Sequence, residues 1–339
     1  MNKTARAITI ALSIVFALTI SDAAAKKQTF QQLSDEILEA IQTFYPVHAT
    51  QMGVHAYDHR FADYSSKSVK QMVNRLNDFE KKLYKYRGAS LNDHDRLNYK
   101  LLKSNVDIAL LDLKRIKWHQ KSPQLYVDEA VNGVYFLLLS NHAPLSERVV
   151  SIINRMKRVP ALFATARKNL KNPPPIYIES AAMSLESGIT FYKEVAAELM
   201  KNFPERADNI SKVSTAAREA MNDFLVHLSE ITPGKETGFA IGKNNFDYLL
   251  SNQYFLDYDS DSMLVIGEAL LDEVSRAYRE YETYVEDHHQ NGNDSVYVPA
   301  QFSRQDILDY YNWETNQVKF FLENHDLITI PEDITPVTV

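Results

Sequence analysis

The stretch "IESAAMSLESGITFYKEVAAELMKNF", residues 178–203, decides the fold class of this chain. Its apolar side chains recur at alternating steps of four and three residues, which places them on one face of an α-helix with 3.6 residues per turn. Pro204 follows directly and ends the predicted helix, because proline has no backbone N–H to donate. The apolar row consists of Ile178, Ala182, Leu185, Ile189, Tyr192, Ala196, Leu199 and Phe203.

The same periodicity recurs on both sides of this stretch. Only nine of the 339 residues are glycine, which is few against an average of about 7% and is typical of a chain made of long helices. We therefore predict an all-α fold, an array of long antiparallel helices. Further helices are predicted at 30–44 (stopped by Pro46), from a cap at Ser66, from Asp93, and at 210–231, 262–287 and 303–324.

The predicted helix that begins at Asp93 carries two apolar rows, which predicts burial on more than one side. The first row is Leu97, Leu101, Ile108 and Leu111, and the second is Val106, Ala109, Leu113 and Ile116.

Residues 1–25 have the pattern of a signal peptide. Lys3 and Arg6 precede an apolar run at 8–20, and Ala23 and Ala25 form an A-x-A cleavage site. A run of about 13 apolar residues is shorter than the roughly 20 that cross a bilayer. We therefore expect cleavage after Ala25, a helical domain at 26–339, and a periplasmic or secreted location without a membrane partner.

The composition of the expected mature chain excludes some classes of protein. Removing residues 1–25 leaves a net charge of −8, which does not favour a nucleic-acid partner. The chain has no cysteine, so neither a disulfide nor a lipid attached to cysteine is available. The fold must be held together by packing.

The stretch "GVHAYDHRFADY", residues 53–64, raises the question of a metal. His55 and His59 have the spacing of the zinc motif His-Glu-x-x-His, but Ala56 occupies the position of the glutamate. We interpret the stretch as a loop in which Asp58, Arg60 and Asp63 make polar contacts. We predict no bound metal.

Four passages resemble the bacterial family called domain of unknown function 885, and one of them, "FLENHDLITIPEDI" (321–334), is similar to a segment in the middle of such proteins. "FYPVHATQMGVHAYDHRFADYS" (44–65) is similar to its opening signature, "RVPALFATARKNLKNPPPIYIESA" (158–181) to its helix–proline–helix passage, and the stretch at 238–274 to its Gly-x-x-x-Gly segment. The residues that match its motifs are Gly53, His55, Tyr57, Asp58, Arg60 and Asp63 in the passage at 44–65, and Gly238, Gly242 and Phe246 in the stretch at 238–274.

The resemblance implies one half of a two-lobed fold akin to zinc metallopeptidases, with substrate held in a channel. In that family the zinc ligands lie in a C-terminal helix with a His-Glu motif, whereas this sequence contains no His-Glu dipeptide. We therefore expect no catalytic residue, metal ligand or cofactor in this chain. Zinc is expected only in a C-terminal half, and a separately encoded C-terminal half is the partner expected if the protein is split rather than truncated.

Three functions are left open by the sequence. The first is the N-terminal, non-catalytic half of a peptidase-like protein, truncated or split. The second is a stand-alone protein that binds a peptide-like ligand or a glycan, and the third is an enzyme whose site is not recognisable from sequence. The first predicts an exposed apolar face larger than the few hundred Å² usual for a monomer.

Overall fold

The computed structural model describes residues 28–88, 91–289, 303–325 and 327–328. These residues form helices, turns and loops and contain no strand, so the predicted all-α class is confirmed. The predicted signal peptide lies outside the described residues. The helices are α1 (Phe30–Phe44), α2 (Pro46–Gln51), α3 (Ser66–Tyr84), α4 (Asp93–Leu110), α5 (Trp118–Lys121), α6 (Gln124–Leu139), α7 (Leu145–Asn169), α8 (Pro175–Asn202), α9 (Ala207–Glu230), α10 (Lys243–Asn252), α11 (Ser260–His289) and α12 (Arg304–Asn324).

The starts of the first helices follow from capping residues. Thr29 and Gln32 form a capping box at the start of α1. Pro46 ends that helix as predicted, but it also begins α2, because proline is favoured in a first helical turn. The cap of α3 is Ser65, whose hydroxyl oxygen accepts from the backbone N–H of Ser68, and the prediction of Ser66 was wrong by one residue.

The two apolar rows predicted for the helix at Asp93 are not equally buried. Val106 and Ala109 of the second row are buried. Leu97 and Leu101 of the first row are 57% and 43% exposed, although α4 packs on α1, α3 and α10. The helix continues past α4 as a π-helical turn at Leu111–Ile116.

The main core lies between α6, α7, α8 and α9. Phe163 of α7 stacks on Phe224 of α9 with 4.7 Å between ring centroids, and neither side chain is exposed. In α8, Tyr192 from the row that decides the fold class is fully buried and donates its hydroxyl to the carbonyl of Ala130 in α6, at 2.8 Å. The sequence analysis predicted no helix over the span of α6, and it anticipated only the end of α7.

The chain divides into a first unit, Met1–Leu264, and a second unit, Val265–Val339. The second unit contains α12 and all of α11 beyond Leu264. None of its residues whose burial is described is buried, although both helices carry large apolar side chains. Trp313 is 56% exposed and Phe320 63%.

No helix in the described part of the chain combines the length and the apolar character needed to cross a membrane.

Candidate functional site

The loop after α2 is built on a glycine turn. Gly53 has φ +79°, a left-handed conformation that favours glycine, and it follows the last turn of α2. Its N–H donates to the carbonyl of Thr50 at 3.0 Å, and the N–H of Val54 donates to Ala49 at 2.8 Å. A short 3-10 turn at His55–Tyr57 follows. The chain reverses direction at Gly53, and this brings Asp58, the residue after the 3-10 turn, back against α2.

Asp58 is the buried centre of this loop. The Thr50 hydroxyl donates to its Oδ1 at 2.6 Å, and His55 Nδ1 lies 2.9 Å from its Oδ2. Only 7% of the Asp58 side chain is exposed, so water contributes little to its solvation. Such a carboxylate is held in one orientation by its protein partners.

His142 joins this pair from the loop between α6 and α7. Its ring lies parallel to the His55 ring, with 3.3 Å between centroids and 10° between planes. Its Nε2 is 3.8 Å from Asp58 Oδ2, while its Nδ1 is 2.7 Å from the Ser140 hydroxyl. Burial and the neighbouring His55 lower the pKa of His142, which favours the neutral imidazole.

Arg155 of α7 lies beneath the loop and is fully buried. Its guanidinium donates to the Thr50 hydroxyl at 2.7 Å, to the carbonyl of Gly133 at 2.5 Å and to that of Arg60 at 3.2 Å. Its Nη2 is also 4.0 Å from Asp58 Oδ1. Burial lowers the pKa of Arg155 to about 10, so the guanidinium is charged at neutral pH and stabilises the Asp58 carboxylate.

Glu129 of α6 is a second buried carboxyl group next to the loop. Its Oε1 accepts from the backbone N–H of Ala62 at 2.7 Å. Burial raises its pKa to about 7, and the hydrogen bond from Ala62 and the charge of Arg155 only partly offset this effect. Glu129 therefore exchanges a proton near neutral pH, unlike an ordinary surface glutamate.

The other predicted loop residues have different surroundings. The Arg60 guanidinium lies over the Tyr57 ring, 5.0 Å from its centroid, and Asp63 accepts from the backbone N–H of Ser65 at 2.9 Å. His59 is exposed, and its backbone carbonyl accepts a hydrogen bond from the Arg158 side chain at 3.1 Å. The segment is a short 3-10 turn and not an α-helix, so the spacing of four residues does not bring His59 beside His55.

The stretch at 238–274, which also resembles the family, lies on other secondary-structure elements than the loop at 53–64. Gly238 belongs to a 3-10 turn at Glu236–Phe239 and packs near Pro174. Gly242 has φ +84° and precedes α10, where its carbonyl accepts from the N–H of Phe246. In the described part of the chain, the turn and cap hydrogen bonds of the Gly238, Gly242 and Phe246 backbones stay within 235–246 and do not reach the loop at 53–64. The structure does not bring the two predicted stretches together.

A cleft elsewhere in the first unit surrounds Asp107. A cavity of about 670 Å³ between α3 and α4 is lined by Tyr84, Tyr99 and Lys103 among others. Asp107 is 3% exposed and pairs with the Lys103 ammonium. Burial, and then the charge of Asp107, raises the pKa of Tyr248 to about 12. A second cavity of about 370 Å³ lies towards α10, where it also contacts Asp107.

The sequence analysis missed Glu129, His142 and Arg155. A signal was present for Arg155, because it lies three residues after Ile152 and four before Val159, on the apolar face of α7. A charged residue on such a face predicts a buried partner. No comparable local pattern points to His142.

Three side chains of the site can bind a metal ion together. Ligand atoms of His55, Asp58 and His142 all lie within 4.8 Å of one another. The same arrangement can also transfer a proton between an imidazole and a carboxylate. The sequence analysis predicted no metal ligand anywhere in this chain, and that stays a prediction.

The comparisons with known proteins agree with the family resemblance. A family model described as "Bacterial protein of unknown function (DUF885)" matches residues 46–339. Among curated proteins, none matches the chain. A solved structure described as "a putative lipoprotein of unknown function from Shewanella oneidensis" matches with a TM-score of 0.66 at 17% identity. The match covers 90% of this chain and 59% of that one, so this chain spans less than two thirds of the length of its relative.

Proposed function

The chain belongs to the bacterial family DUF885, and on this premise we propose that it is the helical, non-catalytic part of an exported peptidase-like protein. In this proposal a C-terminal part, which carries the zinc-binding His-Glu helix implied by the family resemblance, packs on the chain. The absence of a His-Glu dipeptide from the sequence supports a separate location for that site. The relative's greater length agrees with an additional part.

The observation that carries this proposal is the exposure of the second unit. Tyr310, Trp313 and Phe320 of α12 are each more than half exposed. Large aromatic side chains in this number are normally covered in a folded protein, and a contiguous exposed patch marks an interaction surface. A partner that buries them would supply the apolar contacts that the described part of α12 does not make.

The test uses the mature chain and a separately produced C-terminal segment of a DUF885 protein that carries the His-Glu motif. We expect a complex in sedimentation, loss of binding of an apolar dye, and peptidase activity that needs both zinc and this chain. The double variant Trp313→Ser, Phe320→Ser should weaken the complex.

Phe239→Ser is the matched control, because Phe239 is 53% exposed in the first unit. Sedimentation of the chain as a compact monomer that binds neither dye nor the added segment would contradict the proposal.

We propose export to the periplasm as part of the same function. The signal-peptide pattern at 1–25 supports it, as does the fact that the relative of similar fold is described as a lipoprotein. Intact-mass analysis of protein recovered from the periplasm should give Lys26 as the first residue. A mass that retains residues 1–25 would contradict cleavage after Ala25.

A second candidate function, binding of a peptide-like ligand by the chain alone, is favoured by the Asp107 cleft. Tyr84 and Tyr99 offer aromatic surfaces, while Asp107 and Lys103 offer charged groups to a backbone or a terminus. Aromatic walls with a few placed polar groups are typical of small-ligand sites. Calorimetric titration with a mixed set of short peptides tests this function.

We expect Tyr99→Ala to abolish this binding and Tyr135→Ala, at an exposed tyrosine outside the cleft, to leave it unchanged. Binding by the chain without any added C-terminal segment would favour this second function over the first.

A further inference from the structure

We propose that His55, Asp58 and His142 bind one divalent cation of the zinc type. The site is separate from the C-terminal zinc site of the proposed function and does not depend on it. Two imidazoles and one carboxylate form a ligand set that suits zinc and related transition metals, whereas Mg²⁺ and Ca²⁺ prefer sites made of oxygen atoms only.

The distances between the ligand atoms are close to those of a metal site. Zinc binds nitrogen and carboxylate oxygen at about 2.0–2.2 Å, which places tetrahedral ligand atoms roughly 3.3–3.6 Å apart. His55 Nδ1 and Asp58 Oδ2 are separated by 2.9 Å, and His142 Nε2 lies 3.8 Å from the same oxygen. The third pair, His55 Nδ1 and His142 Nε2, lies within 4.8 Å. Because the two rings are stacked in parallel, one imidazole has to turn so that both nitrogens direct their lone pairs at one ion.

Neighbouring side chains orient two of the three ligands. Thr50 donates to Asp58 Oδ1, which directs the remaining oxygen, Oδ2, towards both histidines. The Ser140 hydroxyl faces His142 Nδ1 at 2.7 Å, so that Nε2 is the nitrogen left for a metal. A hydrogen bond at the second nitrogen of a histidine, which fixes its tautomer and direction, is characteristic of metal ligands.

The burial and charge of the site agree with a cation. Asp58 is 7% exposed, whereas the His55 and His142 side chains are 22% and 27% exposed, so one side of the cluster is open to solvent. Three protein ligands with access to solvent leave a fourth position for water or another ligand. Arg155 lies 4.0 Å from Asp58 Oδ1, and its described hydrogen bonds go to the Thr50 hydroxyl and to backbone carbonyls such as that of Gly133, and not to either histidine.

His59, the other histidine in the loop of His55, distinguishes the proposed site from unspecific binding of a metal by exposed histidines. His59 belongs to the pair that resembles a zinc motif in sequence, but the structure leaves its side chain out of the cluster. A metal held by loop histidines in general would depend on His59, whereas the proposed site depends on His142.

The experiment titrates Zn²⁺ into the mature protein after treatment with a chelator and dialysis, with heat and the bound-metal content measured after gel filtration. We expect one equivalent of zinc. His142→Ala and His55→Ala should each weaken binding at least 100-fold, and Ser140→Ala about 10-fold, as is typical of a residue that orients a ligand. His59→Ala should bind zinc as the parent protein does.

Circular dichroism of each variant separates loss of ligand from loss of fold, and His142 is partly exposed in a loop, so its variant should fold normally. Titration with Co²⁺ gives a second readout, since a tetrahedral site produces intense visible absorption that the His142→Ala variant should lose. The proposal is overturned if the parent protein binds no stoichiometric zinc, or if His59→Ala reduces binding as much as His142→Ala does.

Discussion

Phe163 in α7 and Phe320 in α12 are the same residue type on helices of similar apolar content, yet their surroundings are opposite. Phe163 is fully buried and stacks on Phe224, whereas Phe320 is 63% exposed in a unit without a described buried residue. The periodicity that predicted a helix at 303–324 was correct, but it could not tell which surface would cover the apolar side chains. An apolar helix face indicates that another surface covers it, but the periodicity does not show which surface that is.

The largest expected effect is the difference in free energy of unfolding between two single variants, in which Phe163 or Phe320 is truncated to alanine. Phe163→Ala should lower the free energy of unfolding by about 3–5 kcal/mol, because it removes a ring from a packed core and leaves a cavity. Phe320→Ala should change it by less than about 0.5 kcal/mol. Urea denaturation followed by circular dichroism measures both, and similar losses in the two variants would remove the distinction between the units.

The second expected effect is a pH dependence that belongs to the first unit. Because the pKa of Glu129 is about 7 in the folded state, against 4.5 for an ordinary glutamate, the folded state binds more protons between these values. The stability contribution is complete below about pH 4.5 and is lost as the pH rises through 7. The full difference amounts to about 3 kcal/mol at 1.36 kcal/mol per pKa unit.

Glu129→Gln keeps an oxygen acceptor for Ala62 and removes the titration. The variant should therefore be stabilised relative to the parent protein as the pH rises from 5 to 8, as measured by urea denaturation at each pH. Parallel curves for the two proteins would show that Glu129 titrates normally.

The smallest effect compares two helix caps. Ser65→Ala should lower the free energy of unfolding by about 1 kcal/mol, since it removes the acceptor for the N–H of Ser68 at the start of a packed helix. Ser303 caps α12 in the same way, with Asp306 completing a capping box.

Because no described residue of the second unit is buried, we expect Ser303→Ala to increase amide hydrogen exchange in α12 without changing global unfolding. A loss of global stability from Ser303→Ala would mean that α12 unfolds together with the core.

The sequence predicted the helices well where the apolar row was long and uninterrupted. The row from Ile178 to Phe203 predicted both ends of α8 to within a few residues of the observed ones. The predicted ends of α1 and α9 were similarly close to the observed ones. The family resemblance was confirmed as well. These successes share one cause, namely that helix periodicity and capping are local properties of the chain.

The candidate site was only half predictable, because its members come from distant parts of the sequence. Gly53, His55 and Asp58 were identified as one motif, and the structure places them in one turn. His142 is contributed by a loop whose own sequence gives no indication of a partner. The packing of α2 on α6, together with the hydrogen bonds from Arg155 of α7 to both of these helices, brings the two loops together.

The reach of Arg155 along the chain also has a consequence for the order of folding. Its acceptors at Pro46 and Arg60 precede it by 109 and 95 residues, so these contacts close long loops and carry a high entropic cost. The contacts of α6 with α7 and of α8 with α9 join helices that are neighbours in sequence, and they close far shorter loops. We expect the segment with His55 to dock late, with phi-values near zero for Thr50→Val and higher values in α8 and α9. During synthesis, the segment with His55 therefore cannot dock until α7, the helix that carries Arg155, has been synthesised.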